Sequence, residues 1–190
     1  MSIDSSSEEK KRLRAWLRQH RLPSDRRNQE SEKLCCILAA SALWHDAASV
    51  AGYMPLTWET DVKPLLSLAL NQGKHLALPR IEGSEMRFHE LASLDDMVVS
   101  AWGIREPAPD RLQLTKPELM IVPLEAADQS GFRLGKGGGY YDRYLSAHPG
   151  IHTVAMPLTN QLLDRIPHDH WDVPIEWIVT PTGLKQADRL

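Results

Sequence analysis

The sequence has 190 residues, of which 42% are hydrophobic and 25% charged, and its formal net charge at pH 7 is −3. This composition is typical of a soluble globular protein, and the length predicts a single domain over residues 1–190. No apolar run approaches the ~18 residues that a membrane span needs, and the polar N-terminus predicts no secretory signal. Residues 10–27 are basic but the rest of the chain is acidic, which argues against nucleic-acid binding. We therefore expect a cytoplasmic protein.

The first helix is predicted from a capping pattern. Ser6 and Glu9 have the spacing of a capping box, which predicts a helix that begins near Ser6 and ends at Pro23. Lys10 and Arg14 are four residues apart and therefore lie on one face of that helix. This basic face could reach a phosphate, or it could simply lie in solvent.

Short apolar runs alternate with helical patterns along the rest of the chain, which predicts a mostly parallel β-sheet. The predicted fold class is α/β, a three-layer α/β/α arrangement with an open, Rossmann-like sheet. Strands are predicted over residues 49–54, 75–78, 86–91 (an edge or accessory strand), 119–122, 152–156 and 177–179. Helices are predicted over residues 25–45, 60–72 (capped by Thr60) and 139–147, and a loop over 100–117. Ligands bind beyond the carboxyl ends of such strands, so the loops after Met54, Leu78, Val122 and Met156 should meet at one rim.

The most informative segment is rich in glycine. Residues 131–143 read Gly-Phe-Arg-Leu-Gly-Lys-Gly-Gly-Gly-Tyr-Tyr-Asp-Arg. Glycine lets a bound group approach the backbone closely, and Arg133 and Lys136 add positive charge that suits a phosphate. Asp142 could supply an oxygen ligand for Mg²⁺. The spacing matches neither a Walker A loop nor the dinucleotide fingerprint, so a structural turn stays open beside our interpretation of a nucleotide-phosphate site.

Other acidic and histidine residues permit more than one interpretation. Glu59 and Asp61 follow the first predicted strand, where one could bind a polar substrate group and the other cap the next helix. Alternatively, both could only stabilise the helix N-terminus. Asp172 could be a second metal ligand or a turn residue. The run His168-Asp169-His170 has no third ligand at a suitable spacing, so we expect a solvent loop there.

The segment from Val122-Pro123 through Arg143 resembles the signature of the 5-formyltetrahydrofolate cyclo-ligase (5,10-methenyltetrahydrofolate synthetase) family. Further segments resemble the family in the same order: Lys10-x-x-Leu13-Arg14, Tyr53-Met54-Pro55, Glu59-x-Asp61, Ala77-Leu78-Pro79-Arg80, Gly103-Ile104-x-Glu106-Pro107, Gln161-Leu162, and Asp172 before Ile178-Val179-Thr180. The resemblance covers nearly the whole chain. It implies an enzyme that converts 5-formyltetrahydrofolate to 5,10-methenyltetrahydrofolate, using ATP and Mg²⁺ and releasing ADP and phosphate. It also implies a folate substrate, with or without a polyglutamate tail. We expect a monomer in the cytoplasm.

The resemblance also implies roles for particular residues. The ATP-binding set is Lys10, Lys11, Arg12, Leu13, Arg14, Arg133, Leu134, Gly135, Lys136, Gly137, Gly138, Gly139, Tyr140 and Tyr141. The folate-binding set is Met54, Glu59, Lys136, Gly137, Gly138, Gly139 and Tyr140. The catalytic residues would be Arg133, Lys136 and Tyr140, and the metal ligands Asp142 and Asp172. Stacking of Trp58 or Trp102 on the pterin is our own interpretation.

Three positions depart from the family pattern. Val62 stands where the family often has Thr, Ala127 where Phe is frequent, and Lys136 in a slot that is often aromatic. We expect a looser pocket floor at Ala127, with an effect on substrate affinity rather than on reaction type. Two alternatives stay open: a related ATP-using ligase or kinase acting on another substrate, and a non-catalytic folate- or nucleotide-binding regulator.

Overall fold

The computed structural model describes residues 3–99, 103 and 105–188. The helices of these residues are α1 (Ile3–Gln19), α2 (Ser24–Ala39), α3 (Ala42–Asp46), α4 (Lys63–Asn71) and α5 (Tyr140–Ala147). The strands are β1 (Ser49–Ala51), β2 (His75–Glu82), β3 (Glu85–Leu91), β4 (Met97–Val99), β5 (Arg105–Pro107), β6 (Leu119–Ile121), β7 (Ala126–Asp128), β8 (Arg133–Leu134), β9 (His152–Ala155), β10 (Leu162–Leu163), β11 (Trp177–Thr180) and β12 (Gly183–Gln186).

The central sheet of the described chain has seven strands in the order β12-β11-β9-β6-β1-β2-β3. The five inner strands run parallel to one another. The two edge strands, β3 and β12, run antiparallel to their neighbours. The prediction of a mostly parallel sheet with β3 at an edge is therefore confirmed, whereas β12 was not predicted.

Both faces of this sheet are buried, and successive strand residues alternate between them. In β2, Leu76 and Leu78 pack in a cluster with residues of α2, α3 and α4, whereas Ala77 packs in a second cluster with residues of α5. The same alternation separates Val50 from Ala51 in β1. Helices thus cover the sheet on two sides, which confirms the predicted three-layer α/β/α fold.

The first helix packs on a smaller sheet of three strands, ordered β10-β7-β8. Leu17 of α1 shares an apolar cluster with Ala126, Leu134 and Ile166. This packing sets α1 beside β8, and β8 leads directly into the glycine-rich loop. The fold therefore brings the N-terminal basic face near the segment that we expected to bind phosphate.

Two predictions about the N-terminal helices are wrong. The helix α1 begins at Ile3, so Ser6 lies inside it and its hydroxyl donates to a distant carboxylate instead of capping. The helix predicted over 25–45 is two helices, because Ser41 begins a new one. The Ser41 Oγ accepts a hydrogen bond of 3.2 Å from the backbone N–H of Trp44, as an N-cap residue does.

Two later predictions also need correction. Thr60 does not cap α4, which begins at Lys63 after Val62. The Thr60 hydroxyl instead donates to the carbonyl of Met156 at 2.5 Å and so links two loops at the ends of parallel strands. The loop predicted over residues 100–117 contains β5, which pairs with β4 in a two-stranded ribbon.

No helix within the described ranges is both long and apolar enough to cross a bilayer. The single domain, the monomeric state and the cytoplasmic location stay predictions.

Candidate active site

A large cavity opens at the carboxyl ends of the parallel strands, where this class of sheet binds its ligands. Its volume of about 1240 Å³ exceeds the ~300–1,000 Å³ typical of a pocket for one small molecule. Residues in or after three strands line it, namely Tyr53, Met54, Glu59, Leu78, Pro79, Ile81, Pro123 and Leu124. The loop after Met156, expected at the same rim, supplies no lining residue in the described chain, and residues 169–173 line the cavity instead.

The glycine-rich loop between β8 and α5 forms one wall of the cavity. Gly137 has φ of 100° and Gly139 has φ of 65°, which are left-handed conformations that glycine adopts readily. Within the described residues, the backbone N–H groups of residues 136–139 donate no hydrogen bond. Gly139 is also the N-cap residue of α5. Free N–H groups at a helix N-terminus attract anions, so this loop can hold a phosphate.

Two cations of α1 contact this region. Arg14 Nε donates to the Gly135 carbonyl at 2.8 Å, and Lys10 Nζ donates to the carboxylates of Asp169 at 2.8 Å and Asp172 at 2.5 Å. Partial burial lowers the pKa of Lys10, but the hydrogen bonds and charges of the two aspartates outweigh it, so the net shift is upward. The hydrogen bond from Lys10 in turn holds the pKa of Asp169 below its usual value. Lys10 is therefore charged at neutral pH and joins α1 to the loop that bears these acids.

The remaining predicted ATP-binding residues of α1 lie away from the cavity. Lys11 and Arg12 are exposed, and Arg12 Nε lies 3.6 Å from the carboxylate of Glu8. Leu13 packs beside the apolar cluster that joins α1 to the small sheet. Contacts of these three side chains with ATP stay predictions that the geometry does not support.

An ion pair between Arg133 and Asp142 joins β8 to α5. Arg133 Nη1 donates to Asp142 Oδ1 at 3.0 Å, and the same oxygen accepts the backbone N–H of Val173 at 3.1 Å. The Arg133 side chain is only 5% exposed, and its Nε has no hydrogen-bond partner among the described residues. A buried guanidinium N–H without a partner is costly, so Arg133 has a donor available for an anionic oxygen of a ligand.

The residues predicted to hold a metal are compatible with Mg²⁺. Within the described chain, Asp142 forms its hydrogen bonds through Oδ1 and Asp172 through Oδ2, and the second oxygen of each accepts none. Mg²⁺ often takes one or two carboxylates and completes its shell with water and substrate phosphates. No group of three or more metal-ligating side chains occurs among the described residues. A metal at this place would therefore depend on phosphate oxygens.

Another part of the wall contains one buried acid. Glu59 is 1% exposed, and its Oε2 accepts the backbone N–H of Leu56 at 2.8 Å. Its Oε1 lies 2.9 Å from Lys136 Nζ, in a geometry that forms an ion pair but no hydrogen bond. Burial raises the pKa of Tyr53 and Tyr141, and the Glu59 charge adds to both shifts. A buried carboxylate oxygen without a hydrogen bond suits N–H donors of a ligand.

Comparisons with known proteins agree with this geometry. The model of the 5-formyltetrahydrofolate cyclo-ligase family matches residues 6–181. The chain belongs to this family. The cyclo-ligase of Escherichia coli is 32% identical over 146 residues, which cover 73% of this chain and 80% of that protein. The cyclo-ligase of Mycolicibacterium smegmatis is 31% identical over 193 residues, covering 93% and 95%.

Solved structures show the same fold. The NMR structure of Aquifex aeolicus 5,10-methenyltetrahydrofolate synthetase has a TM-score of 0.82 and 32% identity, and the match covers 96% of this chain and 92% of that one. A synthetase from Mycoplasma pneumoniae has a TM-score of 0.69 at 21% identity over 90% and 97% of the chains, and it supports the fold alone. Membership of the cyclo-ligase family confirms both the resemblance and the enzyme class predicted from the sequence, a 5-formyltetrahydrofolate cyclo-ligase.

Several site residues expected of a cyclo-ligase line the cavity together. They are Lys10, Arg14, Met54, Glu59, Arg133, Leu134, Gly135, Lys136, Gly137, Gly138, Gly139, Tyr140, Tyr141, Asp142 and Asp172. Asp61 lies apart from them, because its Oδ1 accepts the backbone N–H of Lys63 at the start of α4, 3.1 Å away. Of the two open interpretations, Asp61 thus supports the helix while Glu59 faces the cavity.

Trp58 and Ala127 do not line the cavity, contrary to our expectation. Trp58 does not line the cavity and instead lies beneath the Arg21 guanidinium, 4.0 Å from its ring centroid. Trp102 lies outside the described residues. Val62 and Ala127 are fully buried in the two main apolar clusters rather than at the cavity. The Ala127 side chain shares an apolar cluster with Leu124, which does line the cavity, and its effect on substrate affinity stays a prediction.

Apart from Asp172, sequence reasoning missed the part of the wall formed by residues 169–173. The run His168-Asp169-His170 is not a solvent loop, because Asp169 binds Lys10 and His170 lines the cavity. His168 stacks on Phe132, with ring centroids 3.5 Å apart. The signal that could have found this segment is Lys10 itself, a cation on an amphipathic helix that needs an acidic partner elsewhere in the chain.

Proposed function

We propose that this chain cyclises 5-formyltetrahydrofolate to 5,10-methenyltetrahydrofolate while ATP is converted to ADP and phosphate. One observation carries the proposal: a cation-rich glycine loop and a buried acid line the same cavity, and Lys136 bridges them. A reaction that transfers a phosphoryl group from a nucleotide to a folate needs two such regions within one enclosed space. The family supports the identity of the substrate, since its relatives are named for this reaction.

The glycine-loop side suits the triphosphate. Lys10, Arg14 and Arg133 supply positive charge, and the free backbone N–H groups of the loop supply neutral donors. Asp142 and Asp172 would hold Mg²⁺, which neutralises charge on the phosphate oxygens when it is bound. Phosphoryl transfer depends mainly on positioning and charge neutralisation, and these residues provide both.

The Glu59 side suits the folate. Apolar side chains such as Met54 and Leu78 can cover a flat ring system, while the buried carboxylate accepts N–H donors from the pterin. A ligand donor at Glu59 Oε1 would satisfy the oxygen that forms no hydrogen bond here. Lys136 could then turn from the acid toward the phosphate, since its side chain is 53% exposed.

The chemistry then follows from the two ligands. The formyl oxygen attacks the γ-phosphorus and ADP leaves, which turns a poor leaving group into a phosphate ester. The N10 amine attacks the activated carbon, loses its proton, and expels phosphate, so the C–O bond breaks as the second C–N bond forms. Arg133, Lys136 and Tyr140 would stabilise the charge on the moving phosphoryl group. No protein nucleophile is needed in this sequence of steps.

A direct assay separates this proposal from its rivals. The purified chain, mixed with 5-formyltetrahydrofolate, Mg²⁺ and ATP, should form the methenyl chromophore with one ADP per product. ATP turnover on a different acceptor, without the chromophore, would favour a related ligase or kinase. Folate or nucleotide binding without any ADP would favour a non-catalytic regulator.

A further inference from the structure

Trp171 is a cavity residue whose exposure is not explained by packing. It lines the cavity, yet 47% of its surface is exposed. An indole is a large, mostly apolar surface that folding usually covers. The exposed ring belongs to the same loop as the two aspartates that bind Lys10, so it stands at the end of the cavity that is rich in charge.

The loop around Trp171 is held on both sides. Lys10 of α1 binds the two aspartates of the loop, and the backbone N–H of Val173 donates to Asp142 of α5. The ring of His170 packs against the indole with centroids 4.4 Å apart and an angle of 69°. The loop that bears the indole is thus attached to α1 and to α5, beside the groups that suit a triphosphate.

We propose that Trp171 is the surface on which the base of the bound nucleotide stacks. This inference rests on the proposed function, because it assumes that the triphosphate binds between α1 and the glycine loop. In a nucleoside triphosphate, only a ribose separates the base from the phosphates. The base must therefore lie near Lys10 and the glycine loop, and Trp171 is an exposed aromatic ring at that place.

The chemistry of the site favours a base over the other parts of either ligand. Phosphates bind cations and N–H groups, and the pterin suits the buried acid Glu59. A nucleotide base is planar and uncharged, so it gains by covering an exposed indole. Stacking tolerates any base because each has a π-face, so Trp171 would strengthen binding of purine nucleotides in general without distinguishing adenine from guanine.

The test compares ATP with inorganic tripolyphosphate, which has the charges of the nucleotide tail but no base. Calorimetric titration of the full chain with each ligand, in the presence of Mg²⁺, should show that Trp171→Ala weakens ATP binding about 10- to 100-fold. Binding of tripolyphosphate should change less than about twofold, and Trp171→Phe, which keeps a ring, should retain most of the ATP affinity. Trp16→Ala is the matched control, because Trp16 is 45% exposed but stacks on His20 and lies outside the cavity lining.

Each other outcome overturns the inference. Unchanged ATP affinity in Trp171→Ala would mean that the base binds elsewhere. An equal loss of ATP and tripolyphosphate would mean that Trp171 only supports the charged loop. If the unmodified chain bound neither ligand, the proposed function would fail together with this inference, whereas the first two outcomes leave the proposed function intact.

Discussion

Lys136 Nζ lies 2.9 Å from Oε1 of Glu59, so a residue of the glycine-rich loop contacts the acid that follows β1. The two side chains differ in how far they can move, because that of Lys136 is 53% exposed and that of Glu59 only 1%. The cation can turn toward an entering phosphate, whereas the acid is fixed by its contact with Leu56. The pair therefore couples the region proposed for the nucleotide to the region proposed for the folate.

Glu59→Gln should lose folate affinity while keeping nucleotide affinity. The amide preserves the shape of the side chain but removes the charge that accepts ligand N–H groups, and we expect 5-formyltetrahydrofolate to bind about 10- to 100-fold more weakly. Separate titrations with the folate and with Mg-ATP check this. Asp61→Asn is the matched control, because the Asp61 carboxylate contacts Lys63 at the start of α4 and does not line the cavity. Equal loss of both ligands in Glu59→Gln would identify Glu59 as a structural acid.

Gly138→Val should weaken nucleotide binding far more than it destabilises the fold. Gly138 does not adopt positive φ, so a side chain costs the backbone little. Its added Cβ would meet the Tyr140 ring at 2.8 Å, and that ring must then move within the cavity. We expect at least a tenfold loss of ATP affinity, of the order of 1.4 kcal/mol, measured by titration beside a denaturant unfolding curve.

The control for Gly138→Val is Gly73→Ala. Gly73 has φ of 71° with open space around an added Cβ, so alanine there strains the backbone and should cost of the order of 1 kcal/mol in stability. It should leave ATP affinity unchanged. A folded Gly138→Val variant with normal ATP affinity would refute the phosphate-binding role of the loop.

Asp142→Asn and Asp172→Asn should each raise the Mg²⁺ concentration needed for half-maximal turnover. An amide is a weaker ligand than a carboxylate for a hard cation, and we expect a shift of about tenfold or more. Asp169→Asn is an informative contrast, because Asp169 also binds Lys10 but is not a predicted metal ligand. Its Mg²⁺ midpoint should stay near that of the unmodified chain. If all three variants had the Mg²⁺ midpoint of the unmodified chain, Asp142 and Asp172 would not be the metal ligands.

Lys10→Met should reduce stability in a pH window set by two shifted groups. The pKa of Asp169 is held below 3.8 by Lys10, so its contribution is present above pH 3.8 and is lost as pH falls through the lowered value. The pKa of Lys10 is raised above 10.5, so its contribution is present below pH 10.5 and is lost as pH rises through the raised value.

Urea unfolding at pH 7 and pH 3 tests this window. The variant should be less stable than the unmodified chain by of the order of 1 kcal/mol at pH 7, with a smaller difference at pH 3. Lys11→Met, which removes an exposed charge from the same helix, should show little difference at either pH. A gap between Lys10→Met and the unmodified chain that stays constant with pH would show that the ion pairs with the two aspartates contribute nothing.

Much of the fold could be predicted because four of the five inner strands are short, mostly apolar runs followed within two residues by proline or glycine. The exception is β2, which was predicted to end at Leu78 but continues through Pro79 to Glu82, because its partner β3 pairs with it along that whole length. The strands β5 and β12 escaped prediction for a physical reason. Residues Arg105–Pro107 and Gly183–Gln186 pair only at edges, where polar residues are tolerated and no apolar pattern is required. The helix predicted over residues 25–45 is interrupted at Ser41, because the Ser41 hydroxyl bonds to the backbone as an N-cap and so favours the start of a new helix.

The candidate site was predictable where chemistry is local to the chain. The glycines, Arg133 and Asp142 lie within one short segment, and Glu59 lies in the loop that follows β1. The pairing of Lys10 with Asp169 joins residues that are 159 positions apart, and no spacing rule reaches that far. The burial of Ala127 in the core was equally hidden, because sequence alone does not tell which side of a small sheet faces a cavity.

The most direct measurement of the central claim follows the formyl oxygen. With 5-formyltetrahydrofolate labelled by oxygen-18 in the formyl group, our account predicts that each released phosphate carries one labelled oxygen, because the γ-phosphoryl group is transferred to that atom. Unlabelled phosphate formed together with the methenyl product would contradict phosphorylation of the formyl oxygen.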